Sequence, residues 1–364
     1  MKIGIDASRL RARATGVARY TEGILAALDE VIPDATFVLY ARQQCSFVEP
    51  STRWVIRCDR HPIWSRMPVP YWIRHRIGSL AQLDAIDVFW TPNTILPEGL
   101  PNSVPCVMTV HDFRHVLEPE NLSPIIRHAY RKWVEGDVRR VTRVVTNSEG
   151  TSDRMQSLLG RSADAVALPA VPLLPIVKDN ADAARSLLTL GVRRPFLLTV
   201  GGSPCKNLGS VVDAVAMAKA RGELPDHQVV MVGRETQRMR FGTRKRARAI
   251  SWMRPLGYVD DATLAALYSL ADALVFPSSY EGFGMPVYEA RAMGCRVITT
   301  ESPELREAGG DDATYVVPTP EGIASGLESA LSRPPPRPST LKHDWSDAAE
   351  VMAKVFQSAL SAHQ

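Results

Sequence analysis

The chain has 364 residues, 45% hydrophobic and 23% charged, which excludes a disordered or fibrous polymer and leaves room for about two domains. A net charge of +4 and a pI near 8.8 suit small anionic ligands or an anionic membrane surface, and are too weak to imply nucleic acid. No apolar run is long enough to cross a bilayer and MKIGIDASRL has no signal-peptide core, so a cytoplasmic setting is expected, with Cys45, Cys58, Cys106, Cys205 and Cys295 as dispersed, reduced thiols.

A first strand is predicted at Lys2 to Asp6, followed by a loop and a helix from about Val17 to Glu30. Further strands are predicted at Thr36 to Tyr40, Val88 to Trp90, Val107 to Val110 and Arg143 to Asn147, with helices between them. Pro169, Pro172 and Pro175 punctuate the end of this series and predict a semi-rigid linker. A second series opens with PFLLTVGG (Pro195 to Gly202) and continues through helix Leu208 to Arg221, strand Gln228 to Val232 and helix Asp261 to Leu270. It ends with apolar strands at Ala271 to Pro277 and Cys295 to Thr300, separated by a helix. Pro334 to Pro338 interrupts the pattern before a terminal helix from about Ser346 to Leu360. The alternation predicts an α/β protein of two Rossmann-like, doubly wound domains facing a cleft, residues 1–170 and 171–344.

The stretch Ser278 to Gly294, SSYEGFGMPVYEARAMG, carries the most specific chemistry. Its loop follows a buried parallel strand, at the carboxyl edge where open α/β sheets bind ligands. Gly282 and Gly284 allow close backbone approach, Pro286 suits a first helical position, and unpaired amides at the helix start attract phosphate. Glu289, on the first turn, is suited to accept hydrogen bonds from a ribose diol, and Glu281, on the loop, from sugar hydroxyls. The plainer alternative is that acidic residues near helix starts answer the helix dipole.

The run EGFGMPVYEARAMGCRVIT resembles the E-x7-E segment of retaining GT-B glycosyltransferases, in particular the family 4 enzymes of bacterial polysaccharide and glycolipid synthesis, and the likeness covers nearly the whole chain. The resemblance implies the GT-B fold, with the last helix, begun at Asp344-Trp345, crossing back to the first domain. It implies transfer of a hexose, with retention, from a nucleoside diphosphate sugar to a hydroxyl of a glycan or lipid-linked glycan, with neither cofactor nor metal ion. The TG-x-x-RY element at Thr15 to Tyr20 and the HD pair at His111-Asp112 resemble those of mannosyltransferases and make GDP-mannose the first expected donor, with a UDP-hexose next.

Residue roles follow from the same resemblance. Lys206, in Gly201-Gly202-Ser203-Pro204-Cys205-Lys206-Asn207, is expected to neutralise the leaving diphosphate beside Gly202. The family usually presents Arg-Lys here; Cys205 removes one cation, and Arg234 is one possible replacement. Gly16 is expected to bring its amide to the donor phosphate, just before Arg19, and Ala18 stands where a second glycine is common. His111 is expected near the transferred sugar, with Asp112 beside it, because a histidine held by a carboxylate orients hydroxyls or relays a proton. Ser148 and Glu149 are candidates for the acceptor side, although Ser148 or Thr151 equally suits a helix cap. Gly233 and Gly257-Tyr258-Val259 are placed against the nucleotide base, and Phe283, Gly284 and Met285 complete the donor loop.

No metal motif is evident: Asp260-Asp261 reads as a helix cap and Asp311-Asp312 as a turn. Two basic clusters, 54–76 with Trp54, Trp64, Tyr71 and Trp72, and 238–248, suit a lipid-linked acceptor or an anionic membrane, or are solvated faces. A noncatalytic nucleotide-sugar sensor is the alternative that the missing arginine keeps open. A dinucleotide oxidoreductase is disfavoured because no complete G-x-G-x-x-G follows either leading strand.

Overall fold

The computed structural model describes residues 1–10, 15–45, 47–170, 174–233, 250–334, 336 and 344–363. The chain forms two compact units, Met1–Ala170 with His343–Gln364, and Val171–Lys342.

The first unit is built on seven parallel strands: β1 (Lys2–Asp6), β2 (Thr36–Ala41), β3 (Trp54–Cys58), β4 (Val88–Thr91), β5 (Cys106–Val110), β6 (Arg143–Thr146) and β7 (Ala165–Val166). Their spatial order is β3-β2-β1-β4-β5-β6-β7, so the winding reverses between β1 and β4. The central strands are buried along nearly their whole length, as a sheet covered on both faces requires. The sequence predicts five of these strands; β3 and β7 are additional. β3 escapes prediction because only Trp54 is buried in it, and β7 because it is two residues long.

The terminal helix, Trp345–Ser361, belongs to this first unit. Asp344 accepts the Ser346 and Asp347 amides while Asp347 accepts the Asp344 N–H, a capping box that fixes where the helix starts. Met352, Phe356 and Ala359 then enter the core beside Trp90, with the Phe356 and Trp90 ring centres 6.1 Å apart. The buried Met352 and Phe356 side chains each contribute about 1.5–3 kcal/mol, which ties the last residues of the helix to the first unit.

The second unit holds six parallel strands: β8 (Phe196–Val200), β9 (Gln228–Val232), β10 (Met253–Gly257), β11 (Ala273–Phe276), β12 (Val297–Thr300) and β13 (Thr314–Val316). The order β10-β9-β8-β11-β12-β13 places its reversal between β8 and β11. β10 and β13 are the strands the sequence does not predict; both are edge strands with mostly half-buried side chains. Both units are therefore doubly wound α/β layers, and each reversal opens a crevice at the carboxyl ends of two strands.

Candidate active site

In the second unit two of the expected site residues, Lys206 and Glu281, come together at the β8/β11 reversal. Lys206 ends a short 3₁₀ turn, Pro204–Lys206, after β8, and Glu281 lies in the loop after β11. Their side chains form a direct ion pair and are only 15% and 13% exposed. The Lys206 ammonium also sits 4.4 Å from the centre of the buried Phe276 ring, a cation–π contact from the last residue of β11. Gly201 has φ +98°, and a Cβ there would lie 3.1 Å from the lysine stem, so the chain reverses tightly beneath the side chain it presents. The two loops are tied together: the Ser279 amide and the Ser278 hydroxyl donate to the Cys205 carbonyl at 2.8 and 3.1 Å.

The following helix is Met285–Ala292, capped by Gly284 at φ +100°, where a Cβ would come within 2.7 Å of Leu305. Pro286 is the second helical residue rather than the first. Glu289 is accordingly on the second turn, not the first, because the helix starts at Met285. It is buried, and its Oε2 accepts the Tyr268 hydroxyl at 2.7 Å. Phe283 is buried too, edge-on to Tyr288 with ring centres 5.3 Å apart; its ring is packed, and the loop presents backbone here.

Cys205, which replaces an expected cation, is buried, with its sulfur 2.9 Å from the Ser203 hydroxyl. Arg234 and the basic cluster 238–248 lie outside the described residues. Gly202 is half-buried beside Lys206. Gly233 donates its amide to the Gly257 carbonyl at 2.8 Å, and the neighbouring Tyr258 is half exposed. Asp260 accepts the Thr263 amide at 2.7 Å as a helix cap. Among the described residues there is no group of three or more His, Cys, Asp or Glu arranged to hold a metal ion.

In the first unit His111 is buried after β5 and bonds through Nε2 to the Pro92 carbonyl at 3.2 Å. A carbonyl only accepts, so Nε2 carries the proton and Nδ1 is the acceptor in the neutral ring. Burial pushes the His111 pKa down to about 4, which keeps it neutral near pH 7. The expected His111–Asp112 hydrogen bond is replaced by this carbonyl contact, and Asp112 Oδ1 instead accepts the Arg114 amide at 2.9 Å. Ser148 is buried and caps the Glu149–Leu159 helix by accepting the Thr151 amide at 2.9 Å, while Glu149 is exposed on the first turn. Gly16 opens the Gly16–Val31 helix behind Thr15 as cap, and the space a Cβ would take is empty among the described residues.

The basic aromatic segment 54–76 is largely structural. Trp54 stacks on Phe37 and donates to Asp29, and Trp72 is fully buried and donates to Asp59. Arg57, Arg74 and Arg76 pair with Asp84, Asp137 and Asp59. Arg60, Arg66 and Ile63 remain exposed.

Three features of the site are absent from the sequence reading. Phe276 looks like any strand residue, and Tyr268 like any core position of an amphipathic helix. The third is a network at the β1/β4 reversal, Asp6–Asn93–Arg9, in which Asn93 lies 84 residues from Arg9 and 87 from Asp6, so no spacing signal links them.

Residues 187–352 match the family described as Glycosyl transferases group 1. Glycogen synthase of Mycobacterium tuberculosis is 28% identical over 251 residues, 64% of this chain and 57% of that protein, so the chain spans little more than half of that relative's length. The O-antigen chain mannosyltransferase RfbU of Salmonella typhimurium is 24% identical over 335 residues, 87% of each protein. The crystal structure of Anabaena HepE in complex with UDP-glucose aligns with a TM-score of 0.64 at 16% identity, covering 100% of this chain and 97% of that one. Residues 187–352 are thus similar to the group 1 glycosyl transferases, and the two doubly wound units have the GT-B fold that the E-x7-E segment implies.

Proposed function

We propose that the protein transfers a hexose, with retention, from a nucleoside diphosphate sugar to a hydroxyl of a glycan or lipid-linked glycan. The observation that carries this reading is the Lys206–Glu281 pair at the β8/β11 reversal, beside the start of the Met285–Ala292 helix. Breaking a glycosyl–phosphate bond leaves negative charge on the diphosphate, and a fixed cation near a helix N-terminus stabilises that charge where it develops. Lys206 is given this role, with Gly202 and the Gly284–Met285 backbone beside the phosphates. Glu281 exchanges its bond to Lys206 for donor-sugar hydroxyls, and Glu289, steadied by Tyr268, accepts from the ribose. Tyr258 is half exposed and is assigned to the base. In the first unit, neutral His111 offers Nδ1 to a substrate hydroxyl; Gly16, Asp112, Ser148 and Glu149 complete the proposed substrate surface, Ser148 through its position as a cap. Retention is assigned to front-face attack, in which the leaving phosphate takes the acceptor proton.

GDP-mannose is the first donor proposed, supported by the mannosyltransferase relative; a UDP-hexose is second, supported by the UDP-glucose complex of HepE. Contact with an anionic membrane falls to Arg60, Arg66 and Ile63. One observation favours a second reading, a sensor that binds donor without turnover: Glu281 already matches the Lys206 charge and Cys205 supplies no second cation.

The two readings separate in one assay. The chain is incubated with GDP-mannose or UDP-glucose and a lipid-linked acceptor, and free nucleoside diphosphate and the anomeric configuration of the product are followed. Release of diphosphate with a retained product is expected. Donor binding without release establishes the sensor, and an inverted product removes the front-face mechanism.

A further inference from the structure

The reversal of the first sheet holds a second cation, and its partners differ in kind from those of Lys206. Arg9 follows β1 and is half-buried; its Nε donates to Asn93 Oδ1 at 3.1 Å and its Nη2 to the Tyr130 hydroxyl at 3.4 Å. Asn93 follows β4 and is oriented from behind, because its amide donates to Asp6 Oδ2 at 2.7 Å. The other oxygen of Asp6 accepts the Ser8 amide at 2.9 Å. Asp6 thus fixes the amide that fixes the guanidinium, without forming an ion pair with it. Arg53, Arg74 and Arg76, three other shielded arginines of this unit, each meet a carboxylate within 3.2 Å. Arg9 meets none within ion-pair distance among the described residues.

A guanidinium presents two donor edges. One edge of Arg9 is used by neutral oxygens, which orient it without a direct ion pair, and the edge through Nη1 has no protein acceptor among the described residues. Such an edge fits a planar or tetrahedral oxyanion bidentately. The surroundings agree. The crevice between β1 and β4 is where a doubly wound sheet receives ligands. The Ser8 hydroxyl, in the same turn, is buried without a partner among the described residues and is a spare donor. The His115 ring is edge-on to Tyr130, with centres 5.5 Å apart, and His111 lies on the next strand end. Burial lowers both histidines to about pKa 4, so at neutral pH neither competes as a cation. Asp112, on the same edge, has an oxygen committed to the Arg114 amide.

We propose that the first unit binds an oxyanion, a phosphate or carboxylate group, at Arg9. As the anionic group of the acceptor this assignment rests on the glycosyl-transfer reading; as an anion site it stands on the β1/β4 crevice itself. The other source of the same chemistry is the donor diphosphate.

Inorganic phosphate is titrated calorimetrically into the full chain carrying Lys206→Ala, which removes the proposed donor clamp, and into the same chain with Arg9→Gln or Arg9→Lys added. Arg9→Gln is expected to weaken phosphate binding roughly tenfold or more, and Arg9→Lys, which keeps charge but not the bidentate edge, by less. Tyr130→Phe, which removes one anchor of the guanidinium, is expected to weaken it a few-fold. Equal phosphate affinity in a folded Arg9→Gln chain overturns the proposal. If that variant fails to fold, equal affinity in Arg9→Lys does so. UDP and GDP titrated into Arg9→Gln with Lys206 intact distinguish the sources: unchanged nucleotide affinity assigns the anion to the acceptor, and a matching loss assigns it to the donor diphosphate. Failure of the donor reading is seen separately, as nucleotide affinity that Lys206→Ala leaves unchanged.

Discussion

At the β8/β11 reversal Lys206 meets the carboxylate of Glu281 directly, whereas at the β1/β4 reversal Arg9 meets an amide and a phenol, with Asp6 one hydrogen bond further back. The same topological position therefore carries a directly paired cation in one unit and, among the described residues, a cation without a direct ion pair in the other. The difference has a chemical consequence. A ligand entering the second unit must satisfy Glu281 as it takes Lys206, so the site favours a molecule that brings both an anion and hydroxyl donors. A sugar joined to a diphosphate has both. The first unit asks only for an oxyanion.

The largest expected effect tests the matched site. Lys206→Ala removes the cation proposed to stabilise the leaving diphosphate and is expected to lower kcat by about 100- to 1000-fold, the cost of deleting one preorganised charge stabiliser. Glu281→Gln sharpens the point in the opposite direction: it frees the ammonium, so UDP or GDP is expected to bind tighter while the nucleotide sugar loses affinity. Calorimetry on the two ligands reads both changes. A Glu281→Gln chain that weakens both equally would show that the pair acts as one structural unit and that the competition between ligand and carboxylate is illusory.

The next effect belongs to the first unit and to pH. Burial lowers His111 from 6.5 to about 4, so the unfolded chain binds its proton at a higher pH than the folded chain does. The sign follows: the stabilisation is fully present above about pH 6.5 and is lost as pH falls towards 4. A depression of this size corresponds to roughly 3 kcal/mol if the site stays dry. His115, lowered to about 4 by burial as well, adds to the same slope. Denaturant midpoints measured from pH 7 to 4 are expected to fall, and His111→Asn, whose amide can still donate to Pro92, is expected to flatten the decline. An unchanged slope in that variant would place the acid sensitivity elsewhere.

These particular residues also show what a sequence exposes. β8 and β11 are legible as short apolar runs closed by turn residues, because a strand covered on both faces has no polar side to hide. The loops after them are legible for the same reason, and Lys206 and Glu281 do meet, although nothing in their spacing of 75 residues says that they pair with each other. His111 and Asp112 teach the converse. Adjacency suggests a hydrogen bond, but the chain turns Asp112 to the Arg114 amide two residues on and gives His111 a carbonyl 19 residues back. Ser148 reads equally as a cap and a contact, and only the closed Thr151 bond decides its local role. β3, β7, β10 and β13 are hidden because edge strands bury too little to leave a pattern.

The smallest effect concerns how the matched site is held. Tyr268 is fully buried and gives its hydroxyl to Glu289, so Tyr268→Phe keeps the ring and removes only the donor. The loss is expected to cost about 1–3 kcal/mol of stability, since the carboxylate stays buried with one partner fewer. A purely structural bond would stop there. If Glu289 reads the ribose, the phenol also sets which way its oxygens face, and the variant must lose selectivity as well as stability. The measurement is the affinity ratio between UDP or GDP and the corresponding 2′-deoxynucleotide. The native chain is expected to prefer the ribonucleotide, and Tyr268→Phe to shrink that preference a few-fold while the melting temperature falls by a few degrees. A lower melting temperature with the ratio intact would leave Glu289 as a core carboxylate and move ribose recognition to another residue of the β8/β11 crevice.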